Sequence, residues 1–222
     1  MTFLQTPLPL AELIERFTSW LTATFAGFFA FIQAAGSTMM NGTVETLLII
    51  PPLIFIILLS IIIYFVSNKK IGLTSFAFIG LLFVLNQGLW INLINTLTLV
   101  IVATIISVIL GIPLGIWMSK SERAQEVITP ILDFMQTMPS FVYLIPAVAF
   151  FGIGMVPGVF ASVIFALPPT VRFTNLGIRQ IPEELTEASD SFGSTGWQKM
   201  IKLELPLAKN TIFAGINQTT ML

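Results

Sequence analysis

The chain has 222 residues, of which 55% are hydrophobic and only 9% are charged, and its formal net charge is −1. A soluble domain carries about 25% charged residues, so this composition is typical of an integral membrane protein, and the near-neutral charge argues against a nucleic-acid partner. The sequence contains no Cys and no His, which excludes thiol nucleophiles, imidazole catalysis and the usual transition-metal sites, so we expect no catalytic or metal-binding residues.

Residues 1–44 are predicted to form an N-terminal region whose amphipathic helix lies in the membrane interface. From Pro9 onward, apolar residues recur at spacings of three or four. The residues between them are polar: Glu12, Glu15, Arg16 and Ser19. The beginning lacks the basic region of a signal peptide, and the glycines within residues 36–42 predict a break after the helix. A poorly formed transmembrane helix is the alternative interpretation.

Residues 45–92 are predicted to form two accessory transmembrane helices, and residues 93–222 to form the core transmembrane domain. A span of the ~30 Å hydrocarbon core needs about 20 apolar residues. Apolar runs predict spans at 46–66, 73–85, 93–118, 131–151 and 159–174, with a sixth beginning near Thr211. Because the residues from Thr211 onward are too few to cross a bilayer, we expect the sequence to be truncated inside this last helix.

Prolines and small residues interrupt the third, fourth and fifth predicted spans. Gly111 and Gly115 flank Pro113 in a small-x-x-x-small pair, which favours close contact between helices or a bend. Further prolines follow within residues 139–169. Irregular backbone at membrane depth is tolerated where it faces protein or a water-filled cavity, so these spans are predicted to line a translocation path. We expect Asp133, near the start of the fourth predicted span, to make a helix-start or loop contact rather than to relay protons.

The basic residues predict how these spans are oriented. Apart from Arg16, the Lys and Arg residues fall in three groups, which follow the first, third and fifth spans. The groups are Lys69 and Lys70; Lys120 and Arg123; and Arg172, Arg179, Lys199, Lys202 and Lys209. Because cytoplasmic loops carry an excess of Lys and Arg, these three places are predicted to lie in the cytoplasm and the N-terminus outside.

The longest polar interruption, residues 182–206, has the pattern of two short helices. Pro182 suits a first helical position, and Gly193 suits a helix stop with positive φ. Thr195 and Gln198 have the spacing of a capping box for a second helix, and we expect Pro206 to end that helix. Both helices carry apolar residues: Leu185, Ala188, Phe192, Trp197, Met200 and Ile201. Exposed apolar clusters usually mark a contact surface, and the alternative is an ordinary solvated loop.

This stretch resembles the cytoplasmic loop of permeases of ATP-binding-cassette (ABC) importers. Their pattern is Glu-Ala-Ala, three residues, Gly, nine residues and Ile-x-Leu-Pro. Here residues 187–189 are Glu-Ala-Ser, Gly193 follows, and residues 203–206 are Leu-Glu-Leu-Pro, with two conservative departures from the pattern. In that family the loop forms coupling helices that dock into a groove on the ATPase. The resemblance therefore assigns ATPase coupling to Glu187, Ala188, Ser189, Gly193, Leu203, Leu205 and Pro206, within a coupling loop at residues 180–209.

Two further stretches resemble the subfamily that imports glycine betaine, proline betaine and related quaternary ammonium osmolytes. They are QTMPSFVYLIPAVAFFGIG at residues 136–154 and FALPPTVRFTNLGIRQIP at residues 165–182. The resemblance implies an all-α, type I ABC importer transmembrane domain in a bacterial plasma membrane. Phe134, Phe141 and Tyr143 are then candidates to offer aromatic faces to a quaternary ammonium group, and their alternative role is packing or lipid contact.

The same resemblance implies partners for the chain. It predicts a homodimeric permease without catalytic activity, two copies of a separate ATPase that bind ATP and Mg²⁺, and an extracellular substrate-binding protein or fused domain. The chain itself has no G-x-x-x-x-G-K-[ST] phosphate loop, so we expect it to bind no cofactor. The alternatives are an ABC permease for another small solute such as methionine, or a secondary transporter, which has no reason to present the loop pattern.

Overall fold

A computed structural model describes residues 10–221, and every regular element in that range is a helix. The helices are α1 (Leu10–Thr24), α2 (Ala26–Leu48), α3 (Pro52–Val66), α4 (Ile71–Asn86), α5 (Trp90–Lys120), α6 (Glu122–Thr137), α7 (Leu144–Phe151), α8 (Met155–Arg179), α9 (Glu183–Ser191), α10 (Gly196–Lys199) and α11 (Leu205–Met221). A 3₁₀ turn, Ser140–Tyr143, precedes α7, and a π turn, Met200–Glu204, precedes α11. The prediction of an all-α fold is confirmed, whereas the predicted beginning of the first helix at Pro9 lies outside the described residues.

Two helices, α5 and α8, are each long and apolar enough to cross a membrane. Two bent pairs also qualify if each pair is taken as one span: α1 with α2, bent by 73°, and α6 with the segment Ser140–Phe151, bent by 101°. The helices α3 and α4 are apolar but shorter, with 15 and 16 residues. Several of the predicted spans therefore have different boundaries in the structure.

The N-terminal helix breaks at a different place from the one predicted. The chain turns at Phe25, and α2 then continues without interruption through Gly36 and Gly42. Gly36 lies so close to α8 that a Cβ there would be 3.0 Å from a methyl group of Val156. The predicted break at residues 36–42 is therefore wrong: the helix continues although a glycine inside a helix costs about 1 kcal/mol relative to alanine.

The first predicted span, 46–66, is also interrupted. The helix α2 ends at Leu48, and α3 begins only at Pro52, because Pro51 is extended with a ψ of 138°. Proline lacks the backbone N–H that would continue the preceding helix, so the Pro-Pro pair separates the two helices, with Pro51 as the cap and Pro52 as the first residue of α3.

The helices α3 and α4 form a hairpin that packs against the N-terminal part of α5. Ile56 of α3 is buried against Trp90 and Ile94 of α5. The Trp90 ring meets the Phe55 ring edge to face, with centroids 5.5 Å apart. Trp90 is therefore a core residue.

The fourth predicted span, 131–151, is not one helix. Met138 adopts an extended conformation, with φ −89° and ψ 139°, because the residue before a proline is disfavoured in the α region, and Pro139 follows. The polar stretch before this span is helical as well. Ser121 caps α6 by accepting a hydrogen bond from the Ala124 N–H at 3.3 Å.

The centre of the fold is the packing of α5 and α11 against α8. The prediction that Gly111 and Gly115 permit close helix contact is confirmed. A Cβ at Gly111 would lie 2.8 Å from the Thr170 methyl carbon, and one at Gly115 would lie 2.5 Å from the Thr174 Cβ. Small residues allow two helix backbones to approach closely in a membrane, where hydrophobic burial does not drive helices together.

Candidate functional site

The first helix of the predicted coupling loop is α9, which begins directly after Pro182. Glu183 and Glu184 occupy its first turn, where acidic side chains are favoured by the helix dipole. Pro182 lies at the cap position, one residue before the first helical position predicted for it. The helix ends at Ser191, and Gly193 follows its C-cap with a φ of +74°, which confirms the predicted positive-φ stop.

The second helix, α10, starts with the predicted capping box. The Thr195 hydroxyl accepts from the Gln198 N–H at 3.3 Å, and the Gln198 side chain accepts from the Thr195 N–H at 3.0 Å. Lys199 then donates to both carboxylate oxygens of Asp190 on α9, at 2.8 and 2.7 Å. This ion pair bridges the Gly193 turn and connects the two short helices at the surface.

The loop presents an apolar surface without a partner among the described residues. Phe192 is 89% exposed and Trp197 is 68% exposed, and Leu185 and Ile201 are also exposed. Glu187 and Ala188 are exposed beside them, whereas Ser189 is half-buried. Large exposed aromatic side chains usually mark a contact surface, so the geometry fits a docking face better than a solvated loop.

Pro206 does not end the second helix, contrary to the prediction. The chain continues from α10 through the π turn into α11 without a break, so the helix also begins well before Thr211. In the π turn the Leu205 N–H donates to the Met200 carbonyl, five residues earlier. A proline ring clashes with the carbonyl four residues before it in a regular α-helix, and the wider π turn relieves this clash between Pro206 and Lys202.

The π turn also brings together two charges that sequence reasoning did not connect. Glu204, between the predicted coupling residues Leu203 and Leu205, is only 2% exposed. Its Oε1 accepts a hydrogen bond from Lys120 Nζ at 2.5 Å, across 84 residues of sequence. Lys120 is the last residue of α5, so this pair joins the end of the loop to a membrane-spanning helix. The only sequence signal was an acidic residue in an otherwise apolar Leu-x-Leu-Pro motif.

The same end of α5 receives a second contact, which comes from α8. Arg179 Nη2 donates to the Met118 carbonyl oxygen at 3.1 Å. This carbonyl lies in the last turn of α5, where carbonyl groups lack an intrahelical donor. The C-terminal end of α5 is therefore held by α8 and by the π turn together.

The three predicted path residues do not share one environment. Phe134 on α6 and Phe141 in the 3₁₀ turn are exposed, at 64% and 69%. Tyr143 is buried, and its hydroxyl donates to the Met135 carbonyl at 2.9 Å. Tyr143 thus supports the bend that presents the other two rings.

Asp133 lies within α6 and not at a helix start or in a loop, so the contact expected of it is wrong. Its carboxylate pairs with the Arg172 guanidinium of α8, and both side chains remain partly exposed. Charged residues within spanning segments are found in pairs or facing water-filled cavities. This pair links α6 to α8 on the part of α6 that precedes the bend.

Comparison with known proteins gives concordant matches. Residues 107–221 match the family model described as "Binding-protein-dependent transport system inner membrane component". The chain is 54% identical over 217 residues to the glycine betaine/carnitine transport permease protein GbuB of Listeria monocytogenes, covering 97% of this chain and 77% of that protein. It is 49% identical over 215 residues to the glycine betaine transport system permease protein OpuAB of Bacillus subtilis, covering 97% and 76%. It is 41% identical over 220 residues to the glycine betaine/proline betaine transport system permease protein ProW of Escherichia coli, covering 99% and 62%.

Proposed function

Because this chain belongs to the family of inner membrane components of binding-protein-dependent transport systems, we propose that it imports glycine betaine or a related quaternary ammonium osmolyte. The chain is a membrane permease subunit of an ABC importer and has no catalytic role of its own. The observation that carries the choice of solute is the identity of about one half to relatives whose names specify glycine betaine. The alternative, an importer of methionine, has no comparable support.

The loop is the proposed site of coupling to the ATPase. The residues proposed to act there are Glu187, Ala188, Ser189, Gly193, Leu203, Leu205 and Pro206. Support comes from the geometry of the loop, in which the Gly193 turn and the capping box hold an exposed apolar face. ATP and Mg²⁺ bind to the ATPase in this proposal, and the permease binds neither.

The proposed solute path passes the exposed rings of Phe134 and Phe141. A quaternary ammonium group has no N–H to donate, so an aromatic face is a suitable partner for its charge. Tyr143 takes part by holding the bend through its hydroxyl group, which is already engaged with the backbone.

The proposed assembly contains two copies of this permease, two ATPase subunits and an extracellular binding protein or fused binding domain. In this assembly the loop faces the cytoplasm, where ATP is available, and the N-terminus lies outside. The distribution of Lys and Arg supports this orientation, because the three basic groups follow the first, third and fifth predicted spans and therefore fall on one side of the membrane.

The proposal is tested by purifying the permease together with its ATPase and measuring ATP hydrolysis in liposomes. Glycine betaine, supplied with the binding protein, should stimulate hydrolysis, and equimolar methionine should not. Stimulation by methionine alone would assign the chain to the other solute class. Failure of any ATPase to co-purify would contradict the coupling role.

A further inference from the structure

We propose that Glu204 is a positioning residue for transport, which sets the angle between the coupling loop and the spanning helices through its ion pair with Lys120. The inference rests on the proposed coupling of this chain to an ATPase. Glu204 acts through α5 and α11 and is not proposed to touch solute or nucleotide. It stands at the variable position of the Leu-x-Leu-Pro motif, to which the family pattern assigns no residue type.

The charged carboxylate of Glu204 is buried. Glu204 is 2% exposed, whereas the side chain of Lys120 is 45% exposed, so the carboxylate has been withdrawn from water and the ammonium group has not. A buried carboxylate is costly unless it is paired and hydrogen-bonded. Lys120 is the only cation paired with it among the described residues, so the position of Glu204 depends on the end of α5.

Glu204 lies on a continuous helical segment. From Gly196 to Met221 the chain runs as α10, the π turn and α11 without a break. A displacement of Trp197, on the exposed face of α10, is therefore transmitted along one continuous helical segment. The π turn is the one irregular part of this helical segment, and π turns within α-helices frequently occur at functional sites. Glu204 is the last residue of the π turn. The ion pair therefore holds this helical segment at the point where its helical geometry changes.

The ion pair of Glu204 with Lys120 joins the loop to helices that pack against one another. The helix α11 packs along α8, and α8 packs along α5. Arg179 of α8 also contacts the end of α5, through the Met118 carbonyl. The three most extensively packed helices therefore meet the loop at one junction. A loop that docks on a moving partner needs such a fixed point, since otherwise its motion would bend the π turn instead of tilting α11.

The loop contains a second ion pair that serves as a matched comparison. Lys199 and Asp190 lie on α10 and α9, and Asp190 has a side chain that is 55% exposed. This pair stiffens the loop internally but does not reach a spanning helix. The proposal therefore predicts different effects when the two acids are replaced by their amides.

The experiment uses the assembled permease–ATPase complex in proteoliposomes and measures solute imported per ATP hydrolysed. Glu204→Gln should lower this ratio by about tenfold, the loss expected for one charge-assisted hydrogen bond, while ATP hydrolysis and co-purification remain within about twofold of the unmodified complex. Asp190→Asn should change the ratio by less than about twofold, since exposed ion pairs contribute little. The reversed pair, Lys120→Glu with Glu204→Lys, should recover most of the ratio.

A second variant keeps the proposal testable if single replacements assemble poorly. The chain has no native cysteine, so Lys120→Cys with Glu204→Cys permits a short cleavable thiol cross-linker to replace the ion pair. The cross-linked complex should couple import to hydrolysis, and cleavage of the linker should uncouple it.

Three results would overturn the proposal. They are an unchanged ratio in Glu204→Gln, a parallel loss of import and hydrolysis that the reversed pair does not correct, and equal ratios before and after cleavage of the linker. A lack of ATP-driven import by the unmodified complex would instead contradict the proposed function, so the two failures are distinguishable.

Discussion

Gly115 of α5 lies so close to α8 that a Cβ at this position would be 2.5 Å from the Cβ of Thr174 and 2.7 Å from the carbonyl oxygen of Val171. Real side chains do not occupy such positions without a shift of the neighbouring backbone. The distance between the two longest apolar helices is therefore set by the hydrogen atom of a glycine. In lipid, this kind of close contact between small residues is a main source of helix association.

Gly115→Val should consequently destabilise the permease. Forcing extra carbon atoms into a packed interface costs about 1–3 kcal/mol, so the thermal midpoint of the detergent-purified protein should fall. Gly80→Val in α4 is the control, because nothing lies within 4 Å of a Cβ at Gly80. Equal midpoints for the two variants would show that the α5–α8 contact adapts to larger residues.

The contact between α8 and α11 contains a buried pair of hydroxyl groups. Thr170 Oγ1 and Thr219 Oγ1 are 2.7 Å apart, and the Thr219 hydroxyl also donates to the Ala166 carbonyl at 3.0 Å. Thr219→Val keeps the shape and removes both bonds, and it should cost about 0.6 kcal/mol or somewhat more. Thr220→Val is the neighbouring control, because the Thr220 hydroxyl bonds only within α11. The measurement is the unfolding midpoint of each variant, and a larger loss in the control would refute the interhelical role.

The turn at Gly193 should be sensitive to a single methyl group. With φ at +74° and open space around it, Gly193→Ala meets no clash but strains the backbone by about 1 kcal/mol. We expect the angle between α9 and α10 to change and ATP-driven uptake to fall. Gly196→Ala is the matched control, since Gly196 has no positive φ and also lies in open space. Equal uptake in both variants would show that the turn geometry does not limit coupling.

The exposed rings near the α6 bend should contribute to recognition of the solute. Phe134→Leu and Phe141→Leu remove an aromatic face, and a cation–π contact at an exposed site is worth about 0.5–1 kcal/mol, so the KM for uptake should rise about two- to fivefold. Phe76→Leu on α4 is the control, because Phe76 is exposed far along the chain from this bend. A rise in KM for the control alone, or for none of the three, would remove these rings from the path.

The orientation of the N-terminus can be tested chemically. Because the chain has no cysteine, Glu12→Cys introduces a single reactive thiol on α1. The proposed outside location predicts that a membrane-impermeant maleimide added to intact cells labels it. A matched cysteine at Glu187, on the loop, should react only after the membrane is opened. Labelling of Glu12→Cys only in opened cells would reverse the proposed topology.

Local sequence patterns predicted the local structure of the loop correctly. The turn at Gly193 and the capping box of Thr195 and Gln198 depend only on residues that are close in sequence. The local sequence is therefore sufficient to predict them. The spacing of Gly111 and Gly115 predicted either a close contact or a bend, and the structure shows the close contact.

Features that depend on distant residues were not predictable in this way. Lys120 and Glu204 are separated by 84 residues, and no periodicity relates them. Pro206 was expected to stop a helix because the π turn that accommodates it has no sequence signal of its own. The break at Pro139 was missed because an apolar run indicates membrane depth but does not reveal a 101° bend.

The central claim is that ATP hydrolysis, transmitted through the loop, drives import of a quaternary ammonium solute by this permease. The most direct measurement is uptake of labelled glycine betaine into proteoliposomes that contain the permease–ATPase complex and its binding protein. ATP supplied on the side of the loop should drive accumulation, and a proton or sodium gradient without ATP should not. Accumulation driven by an ion gradient alone, with no dependence on ATP, would contradict the account and favour a secondary transporter.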